Sequence, residues 1–186
     1  MTKKSQGNIL FVGNFFRSQN LNPNIWFEIP NRLATYGWIT ITTSKLHYKP
    51  LRLANMLWTI YSRQKFYDAA LVDVFSGPAF IWAELSSWLL NYLGKPFVIN
   101  LHGGNLPDLS EKYPNHLKKV LSTASHVFSP SPYLQKELKR FREDIQVIPN
   151  PIEVDQYPYR HRNKVKPNLV WVRAFHQIYN PSLAPK

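Results

Sequence analysis

His102, Gly103 and Gly104 form the combination of residue types best suited to chemistry in this sequence. Two adjacent glycines let a backbone approach a ligand closely, and their peptide N–H groups can hold an oxygen atom. A histidine beside them titrates near neutral pH and can donate a hydrogen bond to a hydroxyl or a phosphate. The alternative is a tight turn in which the histidine only caps a strand. The triplet favours a ligand site, with His102 as its catalytic candidate.

Other polar or glycine-containing turns also follow short apolar runs, where a parallel sheet would bind its ligands. Gly13-Asn14 stands after the first run, but no G-x-G-x-x-G pattern is present, so it does not indicate a dinucleotide site. A strand-ending glycine is the alternative there, and Arg17 can either meet an anion or be solvated. The candidate binding residues at such turns are Gly13, Asn14, Arg17, Ser76, Gly103, Gly104, Asn105, Ser131 and Asn150.

Asp73 interrupts an apolar run over residues 71–75. A buried carboxylate must be paired or hydrogen-bonded, so a structural partner is a better explanation for it than catalysis. The sequence contains neither H-E-x-x-H nor paired carboxylates nor any metal-ligand spacing, and it has no cysteine. We therefore expect no metal site and no disulfide framework.

Apolar runs and helical patterns alternate along the chain, and these elements must position the candidate residues. The sequence predicts strands over 9–12, 38–43, 69–75, 97–101, 126–128 and 146–148. It predicts helices over 25–36, with a kink or late start at Pro30, and over 51–66, 76–92, 117–121 and 132–141. Ser131 is the predicted cap of the last helix. This alternation predicts an α/β fold, a Rossmann-like parallel sheet with helices on both faces.

The helix predicted over 51–66 has two interpretations. Leu53, Leu57, Ile60 and Tyr61 share one face and would point to the core. Basic and aromatic residues interleave along the rest of it, which suits either an ordinary solvated side or an anionic bilayer surface.

The chain is strongly basic, with 23 Lys and Arg against 11 Asp and Glu and a formal net charge of +12. This charge favours anionic partners such as nucleic acid, anionic lipid headgroups or phosphorylated small molecules. No apolar stretch reaches the roughly 20 residues that a membrane span needs, and the N-terminus has no signal-peptide pattern. We expect a cytoplasmic protein, with contact at the inner face of the membrane left open.

Three regions are predicted along the 186 residues. Residues 1–148 form the Rossmann-like domain, 149–167 a linker rich in Pro, Tyr and basic residues, and 168–186 the first strand and turn of a second domain. The second domain is expected to be truncated, so that any function that needs a cleft between two domains is present only in half.

Four motifs resemble the N-terminal, acceptor-binding domain of retaining family 4 glycosyltransferases, which have the GT-B architecture. Residues 67–72 (YDAALV) resemble a family strand, 100–103 (NLHG) its strand ending in histidine, and 129–134 (SPSPYL) its strand-to-helix turn. Residues 147–153 (VIPNPIE) are similar to the linker signature, the most specific of the four. Residues 169–175 (LVWVRAF) then resemble the strand that opens the second domain.

The resemblance implies two Rossmann-like domains facing across a cleft, with an acceptor on the first and a nucleotide-sugar on the second. It implies sugar transfer with retention, no bound metal and no cofactor beyond the nucleotide-sugar donor. His102 would contact the acceptor or the transferred sugar, and the turn residues named above would bind the acceptor. Arg173, His176 and Asn150 would contact the donor, although Arg173 stands near the usual Gly and Asn180-Pro181 where Lys-Gly is expected.

Two alternatives accompany this hexosyltransferase hypothesis. The chain could be a non-catalytic acceptor-binding or anchoring subunit of a split glycosyltransferase, with a partner chain that supplies the donor domain. The charge alone suggests nucleic-acid binding, but no recognised nucleic-acid motif supports it. On the first hypothesis the 186-residue chain by itself has little or no transferase activity, and an apolar patch surrounds residues 169–175.

Overall fold

A computed structural model describes residues 6–15, 28–151, 159–161, 163–164 and 180–183. The chain divides into two compact units, Met1–Ile152 and Glu153–Lys186. The first unit contains every strand and α-helix described below. In the second, the described secondary structure is one short 3-10 turn at Pro181–Leu183. The patch predicted around 169–175 and the strand predicted to open a second domain lie outside the described residues.

Six strands form one sheet, and every pair of neighbours is parallel. Their order across the sheet is β2-β1-β3-β4-β5-β6. The strands are β1 (Gly7–Val12), β2 (Trp38–Thr43), β3 (Ala69–Phe75), β4 (Phe97–His102), β5 (His126–Ser129) and β6 (Gln146–Val147). The predicted α/β, Rossmann-like fold with a parallel sheet is confirmed, because each predicted apolar run forms a strand.

Six α-helices connect or follow these strands: α1 (Ile29–Thr35), α2 (Lys49–Ser62), α3 (Phe80–Tyr92), α4 (Leu106–Lys112), α5 (Pro114–Thr123) and α6 (Pro132–Leu138). Contacts link α2 to α3, α3 to α5, and α4 to both α5 and α6, so these five helices form one layer. The crossover from β1 to β2 runs across the sheet in the direction opposite to all the later crossovers, from β2 to β3 onward. The right-handed rule therefore places α1 on the other face.

One helix was missed by the sequence analysis, and the predicted core face of α2 is wrong in part, although Ile60 is buried as expected. No helix was predicted over α4, because Pro107 and a charged first turn obscure its two buried leucines. In α2 the buried residues are Arg52, Met56 and Ile60, whereas Tyr61 is exposed. Hydropathy could not identify this face. Arg52 is buried because its guanidinium donates to the carbonyls of Leu46 and His47 at 2.7 and 2.9 Å.

The hydrophobic core lies between the sheet and the layer formed by α2 to α6. Alternate residues of β3 and β4 point into it, among them Val72, Val74, Ile99 and Leu101. Because neighbours along a strand point to opposite faces, the residues between them belong to the other face. This places Asp73, Asn100 and His102 together on the face away from the main core.

The described helices also bear on membrane topology. Among residues that the structure describes, no helix is both long and apolar enough to cross a bilayer.

Candidate functional site

The strand order locates a crevice before any side chain is considered. β1 lies between β2 and β3, so the chain leaves β1 toward one side of the sheet and returns to build β3 on the other. In open α/β sheets a ligand binds at such a reversal, beyond the carboxyl ends of the strands. The segments at this point are the turn after β1, with Gly13 and Asn14, and the turn after β3, with Ser76.

Gly13 is required by the close approach of Asp73. Its amide donates to the carbonyl of Thr43 and its carbonyl accepts from the amide of Ser44, both at 2.8 Å, so its backbone is fixed against the end of β2. A Cβ at position 13 would lie well inside contact distance of Oδ2 of Asp73 and 3.2 Å from its Cγ. The missing side chain makes room for a carboxylate at the reversal point.

Asp73 pairs with His102 across the two central strands. Oδ1 of Asp73 lies 2.9 Å from Nε2 of His102, and the side-chain amide of Asn100 lies 2.8 Å from the same nitrogen. An ionised carboxylate only accepts, so a hydrogen bond to Asp73 uses a proton on Nε2, and the amide of Asn100 can then meet that nitrogen only through its oxygen. The two contacts fix the orientation of the imidazole.

Phe75 holds the other side of the imidazole. The rings of Phe75 and His102 stack with centroids 4.6 Å apart and planes 12° apart, as their adjacent register positions on β3 and β4 require. His102 is 7 % exposed, so only a small part of its surface is open to the crevice. The ring is held by a hydrogen bond on one edge and by stacking on one face.

A cavity of about 470 Å³ opens at the turns that follow β3 and β4. Ser76 and Asn105, both candidate residues, line it, together with the following residues of the turn after β3 and of α4: Gly77, Pro78, Asp108, Leu109, Lys112 and Tyr113. Gly103 adopts φ 87°, a left-handed conformation that favours glycine, and its missing Cβ would lie 3.9 Å from Oγ of Ser76. The cavity thus begins where the His102-Gly103 turn ends.

The walls of this cavity contain both hydrogen-bond donors and acceptors: a hydroxyl (Ser76), an amide (Asn105), a carboxylate (Asp108) and an ammonium (Lys112). Its volume falls in the range of ordinary small-molecule sites. A second cavity, of about 20 Å³, lies at Gly13, Asn14 and Asp73 and has room for about one water molecule. The structure therefore separates the candidates into a tight cluster and an open cavity at the neighbouring turns.

A sequence model of glycosyltransferase family 4 matches residues 25–156, more than half of the chain. This chain belongs to glycosyltransferase family 4. The match spans Asp73, Ser76 and His102, whereas Gly13 and Asn14 precede it. A comparison with curated proteins gave no match.

Other candidate residues of this glycosyltransferase-family chain lie apart from the cluster. Oγ of Ser131 accepts from the amide of Leu134 at 3.4 Å, which confirms the predicted helix cap and gives Ser131 a structural task. Gly104 has open space around it, and Asn150 is exposed after β6. Arg17, Arg173 and His176 lie outside the described residues.

Sequence reasoning missed the second member of the central pair in this family 4 domain. Asp73 was expected to have a structural partner, but that partner is His102, the catalytic candidate. Asn100 and Phe75 were not singled out at all. A signal existed, because Asp73 and His102 lie two residues apart in register once β3 and β4 are placed side by side. In the described part of the chain, no group of three metal-ligating side chains was found.

Proposed function

We propose that this chain supplies the acceptor side of a site that transfers a hexose from a nucleotide-sugar to an acceptor hydroxyl, with retention of configuration. Family membership supports the transferase class. The observation that carries the proposal is the His102–Asp73 pair at the sheet reversal, together with a cavity of about 470 Å³ at the turns that follow the same two strands. An acceptor rich in hydroxyl groups suits such walls, because each hydroxyl both donates and accepts.

His102 is proposed to contact the transferred sugar or the acceptor, and Asp73 to position it. The stack on Phe75 and the bond to Asp73 hold the imidazole before substrate arrives, so that little reorganisation is needed in the transition state. We do not assign His102 as the general base. The leaving diphosphate is proposed to take the proton from the acceptor hydroxyl. Cationic side chains and helix N-termini are proposed to stabilise the negative charge of the diphosphate.

The donor is proposed to bind to a second domain. Arg173, His176 and Asn150 are proposed to contact the donor there. Turnover is therefore expected to need a donor-binding domain as well as this acceptor side. In the split-enzyme alternative, this chain is the acceptor-binding subunit and a separate chain supplies the donor domain.

The test uses the 186-residue chain joined to, or mixed with, a donor-binding domain. Release of nucleoside diphosphate is followed over a panel of nucleotide-sugars and acceptors. His102→Ala is expected to lower turnover by about 100-fold, the usual effect of losing one positioned hydrogen-bonding group. His126→Ala is the matched control, because His126 is exposed and begins β5 at the opposite edge of the sheet.

Full transfer by the His102→Ala variant would refute the assigned role of His102. Robust turnover by the 186-residue chain without any donor domain would refute the proposed division of labour. Activity that appears only with a separately encoded donor chain would favour the split-enzyme alternative. Asp73→Asn, which keeps the shape of the side chain and removes its charge, is expected to lower turnover less than His102→Ala does.

A further inference from the structure

The outward faces of α2 and α3 are apolar, although both face solvent. On α2 the exposed residues Leu51, Trp58 and Tyr61 recur at helical spacing, opposite the buried residues of that helix. On α3 the exposed residues Ile81, Trp88 and Tyr92 do the same. We refer to these six residues as the aromatic face. A solvent-facing helix normally carries polar residues here, and contiguous apolar patches of this kind usually mark an interaction surface.

The two stripes belong to one surface. Helices α2 and α3 pack side by side in the same layer, and both run back from the carboxyl edge of the sheet toward the opposite edge. Trp58 and Tyr61 lie 6.3 Å apart between ring centroids, and Trp88 and Tyr92 stack at 5.8 Å. Trp58 is 65 % exposed, Trp88 54 % and Tyr92 75 %. These are large rings held open to solvent on rigid helices.

The charges around the aromatic face are almost all positive. Lys49 begins α2, and Arg63 and Lys65 follow its end, all three exposed. Helix α2 contains no acidic residue, and α3 contains only Glu84, which pairs with His116 at 2.6 Å. A groove of about 300 Å³ between α3 and α5 continues the surface past Trp88, with Lys119 in its lining.

We propose that the aromatic face docks on an anionic lipid bilayer. Trp and Tyr side chains favour the boundary between headgroups and acyl chains, since each has an apolar body and a polar atom. Lysine and arginine residues at the ends of such a face are attracted to anionic headgroups. A second copy of this chain is a poorer occupant, because two chains of net charge +12 repel one another.

This docking would leave the candidate site at the membrane. Leu51 and Ile81 stand in the first turns of α2 and α3, which follow the carboxyl ends of β2 and β3. The crevice therefore opens at the same edge as one end of the aromatic face. An acceptor carried on a lipid would need to travel only a short way from the bilayer to that edge. The docking itself does not depend on sugar transfer and is tested without it.

The experiment is co-sedimentation of the 186-residue chain with vesicles of phosphatidylcholine alone or with one-quarter phosphatidylglycerol. We expect binding to the anionic vesicles, weakened by salt because part of the attraction is screened. Trp58→Ser with Trp88→Ser is expected to weaken the apparent affinity by about tenfold or more. Tyr36→Ser is the control, because Tyr36 is 68 % exposed but ends α1 on the other face.

A second pair of variants separates a specific face from general basic charge. Lys49→Gln with Lys65→Gln removes two positive charges beside the aromatic face and is expected to weaken binding by about tenfold. Lys136→Gln with Lys139→Gln removes two exposed charges on and after α6 and is expected to have a much smaller effect. Circular dichroism confirms that every variant is folded.

Three results would overturn the proposal. One is no binding to anionic vesicles at low salt. The second is an equal loss of binding in the two double lysine variants, together with unchanged binding of the double tryptophan variant, which would indicate non-specific attraction. The third is a concentration-dependent dimer, by analytical ultracentrifugation, that the double tryptophan variant abolishes, which would assign the aromatic face to a protein interface.

Discussion

Gly13→Ala is the sharpest perturbation that the structure offers. The added methyl group would overlap Oδ2 of Asp73, and the backbone of Gly13 cannot retreat because Thr43 and Ser44 hold it from β2. Asp73 must therefore move by roughly 1 Å to reach ordinary contact distance. Its other oxygen already lies 2.9 Å from Nε2 of His102, so movement in either direction displaces the imidazole or breaks the bond.

Two costs contribute to the free energy of unfolding. Overpacking of a tight contact destabilises by about 1–3 kcal/mol. Loss of a hydrogen bond to a charged group contributes about 1.5–3 kcal/mol more if no new partner is found. Because part of the strain is relieved when the bond breaks, we expect a total of about 2–4 kcal/mol for Gly13→Ala, measured by urea unfolding.

Gly104→Ala is the matched control. Gly104 is in the same set of turns, does not adopt a positive φ, and has no atom within 4 Å of where a Cβ would be. It is expected to be neutral or slightly stabilising. In a chain that already carries Asp73→Ala, Gly13→Ala should also be close to neutral, since the overlapping carboxylate is gone. If Gly13→Ala proves as harmless as Gly104→Ala, or equally costly with and without Asp73, the reasoning about the pair is refuted.

Two further predictions concern stability away from the site. Burial raises the pKa of Tyr67 to about 12, and its hydroxyl donates to the carbonyl of Ile60 at 3.0 Å. The unfolded chain therefore loses this proton first, so the stabilisation is complete below pH 10 and is lost as the pH rises toward 12. Between pH 10 and 12 the free energy of unfolding measured with urea should fall by about 2–3 kcal/mol more in the parent than in Tyr67→Phe, and equal falls would contradict this. Arg142 donates to the carbonyls of Leu121, Ala124 and Ser125, so Arg142→Met should lower the free energy of unfolding by about 2–4 kcal/mol. The control is Arg140→Met, at a half-exposed position, which should cost under about 1 kcal/mol; equal effects of the two substitutions would contradict the assignment.

The strands were predictable because of their burial. This holds for the central strands β1, β3 and β4, which are covered on both faces of the sheet and are near-continuous apolar runs. The edge strand β2 is only partly buried and was predicted from its alternating β-branched residues instead. The helices were less predictable. In α4 the two buried leucines, Leu106 and Leu109, are too few to establish a period, and only packing against α5 and α6 makes that segment helical.

The buried face of α2 shows a different limit. Hydropathy assigns Arg52 to solvent, and burial does lower its pKa. The guanidinium nevertheless keeps two carbonyl partners and lies 5.3 Å from the ring centre of Trp82. A local pattern contains no information about partners that come from another loop or helix. The same reason explains why the outward aromatic stripe of α2 was recognised only as an ambiguous mixture.

The class of fold, the six strands and the candidate turns at their carboxyl ends could be read from the residues alone, because they depend on local periodicity and on glycine, serine and histidine at strand ends. Which of those turns meet could be seen only once the strands were placed side by side. The tertiary structure joined Asp73 to His102 through the register of β3 and β4, fitted Gly13 against the carboxylate, and left Ser131 to cap a helix. Register and strand order are set by packing over the whole domain, and no single stretch of residues specifies them.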